Sequence, residues 1–156
     1  MADSETPATI WGDEWHSTGD PWTDRVHWRR MARGDILGAT LHELPPHSDG
    51  GPLHFHHGSE EMLIVLRGRP TLRTPQGERQ LAEGEVVVFK VGPQDAHKCR
   101  NETDESVRYL FVSNRASPDA VEYPDTGQLS VMAFTHSQHG RPLWDMRTLD
   151  KPDDAV

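Results

Sequence analysis

His54 and His56 stand two positions apart in LHFHH (residues 53–57), and Glu61 follows at the head of EMLIVL. In an extended strand successive side chains alternate faces, so the two imidazoles point the same way. The β-branched and apolar run behind Glu61 predicts a buried strand with the carboxylate at its root. Two imidazoles on one strand and a carboxylate at the start of the next can converge on one divalent metal ion. A lone His-x-His beside an apolar run is also compatible with surface or core filling, so the reading needs a further ligand. GEVVVFKVGPQDAHKCRN (84–101) supplies one: a strand-like VVVF, a Gly92-Pro93 turn, then His97 in a second short strand-like run. Three histidines and one glutamate from separate strands make a credible ligand set.

The elements that must position these groups read as strands. Asp35 to Leu44 is expected to be the first core strand, ended by Pro45-Pro46. In the strand headed by Glu61, Leu63 and Val65 share the ligand's phase and would line the space below the ion. TLRT is a strand, PQGE a hairpin loop, and VVVF the strand that leads to His97. SVRYLFV (106–112) is the last strong core strand; if Arg108 faces water, alternation sends Val107, Tyr109 and Phe111 inward. Tyr109 is thus a candidate polar group near the metal, the other reading being a core tyrosine whose hydroxyl meets a backbone carbonyl. Glu60 competes with Glu61 and would face outward or carry a proton at the rim. His57 falls out of phase, at the rim; His42 and His47 read as ordinary polar positions. Cys99 is in phase with His97 and reads as a small buried hydrophobe rather than a nucleophile. QLSVMAF (128–134) could add an edge strand.

At this point the chain resembles the cupin superfamily. The first cupin motif is matched by His54, His56, Glu61 and Gly68, the second by Gly84, Gly92, His97 and Asn101. Ser48 stands where the family has a leading glycine, Lys90 where it has a proline, and the loop between Gly92 and His97 is longer than usual. The resemblance covers roughly Ile36 to Val112, and the run from GSEE through GPQDAHKCRN to EYPDTG is similar to small single-domain cupins of the cupin 2 conserved barrel type. It implies an all-β fold, an antiparallel jelly roll or double-stranded β-helix with the site inside one end. It also implies pairing of barrels through their outer sheets, hence a homodimer.

The whole chain sets the frame. At 156 residues it is one domain, organised as a tryptophan-rich N-terminal arm (1–34), a cupin barrel (35–134) and a C-terminal tail (135–156). Residues 1–35 hold Trp11, Trp15, Trp22 and Trp28 without a sustained helical or strand period. So much indole packs on something: the outside of the barrel, a subunit partner, or the roof of the metal pocket. Thirteen glycines, twelve prolines and short apolar runs between turn signals favour β architecture. A formal charge of −9 without a basic block argues against a nucleic-acid partner. A single cysteine fits a reducing compartment. With no basic-then-apolar leader and no run approaching ~18 apolar residues, the expectation is a cytoplasmic protein with no membrane partner.

Three neutral imidazoles and a carboxylate around a divalent ion leave about +1 on the site, with open positions on an octahedral metal. Such a centre suits a small ligand that chelates through two oxygens: a keto or hydroxy acid, a diketone or a catechol. Isomerisation, decarboxylation and O₂ chemistry all fit, and the mixed N and O donors leave Mn, Fe, Co, Ni, Cu and Zn open. Two readings follow. One is a metal-dependent enzyme with His54, His56, Glu61 and His97 as ligands and Tyr109 or Glu60 as proton carriers; the other is a non-catalytic metal-dependent binding or sensing module. In either, metal affinity should fall below about pH 6.5, where imidazole protonates.

Overall fold

A computed structural model describes residues 9–15, 26–136 and 142–149. Those residues contain no α-helix, and no helix long and apolar enough to cross a membrane. The strands are β1 (His27–Arg33), β2 (Gly38–Leu44), β3 (Ser48–Asp49), β4 (Phe55–His56), β5 (Glu61–Arg67), β6 (Thr71–Thr74), β7 (Gly77–Gln80), β8 (Val86–Phe89), β9 (Lys98–Asn101), β10 (Val107–Ser113), β11 (Asp119–Tyr123), β12 (Gln128–His136) and β13 (Pro142–Thr148). They pair antiparallel in three sheets, ordered β1-β2-β10-β5-β8, β13-β12-β11-β4 and β3-β9-β6-β7. This is an all-β antiparallel jelly roll.

Alternation in β5 and β10 builds the interior. Leu63 and Val65 are buried, Tyr109 pairs with Val65 and Phe111 with Leu63 across the register, and Leu44, Leu72, Leu81, Phe89 and Val107 close the cluster. Full burial of each aliphatic side chain stabilises the fold by roughly 1.5–3 kcal/mol. Leu53, Phe55 and Ala96 form a second, smaller cluster, so β4 buries Phe55 on one face and turns its histidines to the other. Asn101 then ties the base of the barrel, its amide donating to the carbonyls of Leu44, Pro45 and Glu105 at 3.1, 2.9 and 2.7 Å.

The structure corrects the sequence reading in four places. His27–Arg33, within the segment expected to lack regular structure, is β1 on the edge of the five-stranded sheet. A register irregularity between Arg30 and Ala32 breaks the alternation that would have marked it. The first core strand starts at Gly38 rather than Asp35, because Gly34 N–H bonds the Leu37 carbonyl in the turn between β1 and β2. The strand over QLSVMAF is interior, covered on its far edge by β13; the described side chains of β13 are almost all exposed and carry no apolar period. Arg108 does point away from Tyr109, yet it is 2% exposed. Residues 9–15 lie over that face, with the Ile10 carbonyl and Asp13 Oδ1 3.0 and 2.9 Å from the guanidinium and Trp15 stacked on it at 4.9 Å. Glu43 completes the neutralisation from β2, 2.8 Å from Arg108 Nε.

Candidate metal centre

Glu61 opens β5, and its Oε2 is the point on which three imidazoles close: Nε2 of His97 at 3.0 Å, of His56 at 3.4 Å and of His54 at 3.8 Å. The strand expected over LHFHH is short. His56 pairs with Val121 in β11, while His54 forms an isolated bridge with His97, the two backbones exchanging hydrogen bonds of 3.2 and 2.9 Å. That bridge carries His97 to the site across the lengthened loop, whose extra residues fold as a single 3₁₀ turn, Pro93–Asp95, after Gly92 at φ 100°. A positive φ of this kind favours glycine.

The far side of each imidazole is held. Nδ1 of His54 lies 3.0 Å from the Pro52 carbonyl, that of His97 3.0 Å from the Asp95 carbonyl, and that of His56 2.7 Å from Asp119 Oδ2. Carbonyls and carboxylates accept, so each Nδ1 carries a proton and each Nε2 is the ring nitrogen turned toward Glu61. Three imidazole nitrogens gathered on one carboxylate favour a cation at their centre, a proton or a metal. His54, His56 and Glu61 each offer a donor atom within 4.8 Å of the others, a group that could hold a metal ion. His97 Nε2 sits against the same oxygen. Without metal the protons show the same demand: burial opposes charge on His56, yet hydrogen bonds to Asp119 and Glu61 outweigh it and raise the imidazole to about 9. Burial likewise opposes charge on Glu61, but the three imidazoles hold its carboxyl well below the usual range. At His97 burial wins and lowers the imidazole despite Glu61.

A cavity of about 210 Å³ opens over Glu61, His54 and His97 between the five-stranded sheet and the β3 and β9 edge. Tyr109 lines it, as alternation predicts, and desolvation raises its phenol well above the ordinary range, so it stays protonated. His42, passed over in the sequence, lines it too, stacked on Tyr109 with ring centroids 5.3 Å apart. Burial pushes its imidazole down to about 4, and its Nδ1 has no hydrogen-bond partner. The signal was present: His42 shares the phase of buried Leu44. Cys99 is buried and its thiol, desolvated, is pushed up to about 12. Other expected positions lie elsewhere. Glu60 is exposed and outside the cavity lining, its backbone N–H bonded to Asn114 Oδ1 at 2.9 Å. His57 bonds Glu122 on the exterior at 2.7 Å, and His47 bonds Asp104 at 2.7 Å. Trp11, Trp15 and Trp28 do not line the cavity; Trp22 lies outside the described residues. Asp119, which orients His56, had no sequence signal, since nothing local links it to a histidine that lies beside it only across β4 and β11.

Residues 40–113 match the family described as Cupin domain. No curated protein sequence matches the chain. Among solved structures, a sugar phosphate isomerase of the cupin superfamily from Silicibacter pomeroyi is similar at TM-score 0.70 and 22% identity, over 81% of this chain and 78% of that one. The polyketide cyclase RemF from Streptomyces resistomycificus gives 0.58 and 19%, over 69% and 78%. A Cupin 2 conserved barrel domain protein from Salinispora arenicola gives 0.52 and 20%, over 66% and 82%.

Proposed function

From the premise that this chain belongs to the cupin superfamily, with its cupin domain over residues 40–113, we propose that it is a divalent-metal-dependent enzyme acting on a small oxygenated metabolite. His54, His56, Glu61 and His97 are the ligands in this reading. The observation that carries it is the set of three Nε2 atoms, each ring fixed by an acceptor on its own Nδ1, closing on Glu61 Oε2 at 3.0–3.8 Å. Nitrogen and oxygen donors suit Mn, Fe, Co, Ni, Cu or Zn, and when bound such an ion polarises a chelating oxygen as a Lewis acid.

The chain's own residues supply the rest. Tyr109, protonated and walled in beside the ligands, donates a hydrogen bond to a substrate oxygen and does not act as a base. His42, held neutral by burial and with an unpartnered Nδ1, offers a second polar group to hydrogen-bond a substrate. Cys99 stays a thiol and takes no part. The cavity of about 210 Å³ limits the substrate to a small metabolite such as a keto or hydroxy acid, a diketone or a catechol. Isomerisation, decarboxylation or oxygenation is the reaction type.

The test is a screen of metal-loaded protein against those compound classes. Turnover is expected in the wild type and lost in Glu61→Gln. If a ligand raises the melting temperature of metal-loaded protein and no compound turns over, the chain is instead a non-catalytic metal-dependent binding module acting in the cytoplasm, singly or as a homodimer.

A further inference from the structure

Beside the metal cavity lies a second one, of about 200 Å³, and the two share Gly38, Thr40 and Ser113 as a common wall. Three arginines line the second cavity: Arg30 and Arg33 from β1, and Arg115 from the segment after β10. The register explains the convergence. Glu61 pairs with Ser113, Ser113 with Gly38, and Gly38 with Arg33, one row across four strands. Residues paired across a sheet share a face, so Arg33 lies on the same inner face as the metal ligand. Three inter-strand spacings separate their Cα atoms, roughly 14 Å. Arg30 pairs with Thr40, and the register irregularity before Ala32 is what lets Arg30 and Arg33 occupy the same face.

The third arginine is seated. A Cβ on Gly38 would collide with the Arg115 side chain, so the glycine leaves the room in which that stem lies. Arg115 adopts φ 46°, and its Nη1 donates to the Gly34 carbonyl at 2.7 Å. The Arg30 side chain makes no hydrogen bond or ion pair among the described residues. Burial and then the charges of Arg33 and Arg30 depress the Arg115 guanidinium, which Asp35 offsets only in part. Three guanidiniums line one cavity in a chain of charge −9, and guanidinium forks match the oxygens of phosphate and carboxylate.

We propose that Arg30, Arg33 and Arg115 bind the oxyanion end, phosphate or carboxylate, of the ligand whose other oxygens face His54, His56, Glu61 and His97. This assignment deepens the metal-dependent reading and rests on it for the second half of the ligand. A metabolite a few carbons long, anionic at one end and oxygenated at the other, spans the two cavities.

The experiment titrates inorganic phosphate, and separately acetate, into the full chain at constant ionic strength by calorimetry, with metal content measured on every sample. The variants are Arg30→Gln, Arg115→Gln and a remote control, Arg69→Gln. Arg30→Gln removes an exposed side chain with no described bond, so it reports even if Arg115→Gln folds poorly. The expected result is that at least one anion binds the wild type and Arg69→Gln alike, and at least tenfold more weakly after either cavity substitution; which anion binds identifies the ligand's end. The same loss in protein that takes up no metal would support the anion site and fail the metal reading. Binding of neither anion, or equal binding by all four proteins, would overturn the anion site while leaving the metal reading intact.

Discussion

Nδ1 of His56 lies 2.7 Å from Asp119 Oδ2, two side chains separated by 63 positions in the chain and joined by the pairing of β4 with β11. Asp119 is 4% exposed and also accepts from the Gly58 N–H at 2.9 Å. It fixes the ring so that Nε2 faces Glu61. Replacing Asp119 with Asn or Ala should therefore weaken metal binding by about 10–100-fold. A competition titration with a metal-sensitive dye measures this, and an unchanged affinity would remove Asp119 from the site.

The same pair sets the pH dependence. In metal-free protein His56 is raised from 6.5 to about 9, so at pH 7 its Nε2 holds a proton that a metal must displace. Affinity should accordingly climb by up to about tenfold per pH unit through pH 7–9 rather than levelling off above pH 6.5. Calorimetry in buffers of different ionisation enthalpy should detect about one proton released per metal at pH 7.5. In Asp119→Asn the plateau should move to lower pH, because a bond that stabilises the imidazolium is gone.

Ligand and bystander histidines should separate cleanly by elemental analysis of purified protein. His97→Ala and Glu61→Gln should lose most of the metal. His57→Ala should keep it, because His57 bonds Glu122 on the exterior. Metal content unaffected by His97→Ala would reduce the centre to His54, His56 and Glu61.

Cys99 offers a probe of the core. Its thiol is raised from 9.0 to about 12, so at pH 8 only on the order of one molecule in 10⁴ carries the thiolate. Iodoacetamide should leave the folded protein unmodified at pH 8 over hours and label it fully in denaturant. Mass spectrometry gives the answer, and rapid labelling of native protein would mean that the barrel opens at Cys99.

Arg108 tests the covering of the outer face. It is 2% exposed and bound to Glu43 and Asp13, with Asp13 itself largely in water. Arg108→Ala leaves the half-buried Glu43 beside Arg67 alone, at 2.7 Å. The expected cost is about 3 kcal/mol, the lower end for breaking a buried pair because one partner remains. Arg108→Met should cost less, since it fills the volume. Urea denaturation measures both, and a loss below about 0.5 kcal/mol for alanine would mean that the pair contributes little.

Alternation is a local property with a period of two, and it carried much of the reading. His54 with His56, Glu61 with Leu63 and Val65, and Val107 with Tyr109 could be assigned to a common face from the chain alone. Turn signals and short apolar runs favoured β architecture, and the resemblance carried by the motif residues implied the jelly roll. Where local pattern fails, the reading failed: a register irregularity hid β1, and an edge strand with almost no buried side chain hid β13. Which strand lies beside which is decided by long-range pairing, and no residue's neighbours in sequence encode it. Only the folded sheet could bring Asp119 to His56, lay residues 9–15 over Arg108, and extend the row from Glu61 through Ser113 and Gly38 to Arg33. The candidate ligands could be picked out from residue types and spacing; what holds these side chains, and what charge stands next to them, was settled by tertiary neighbours.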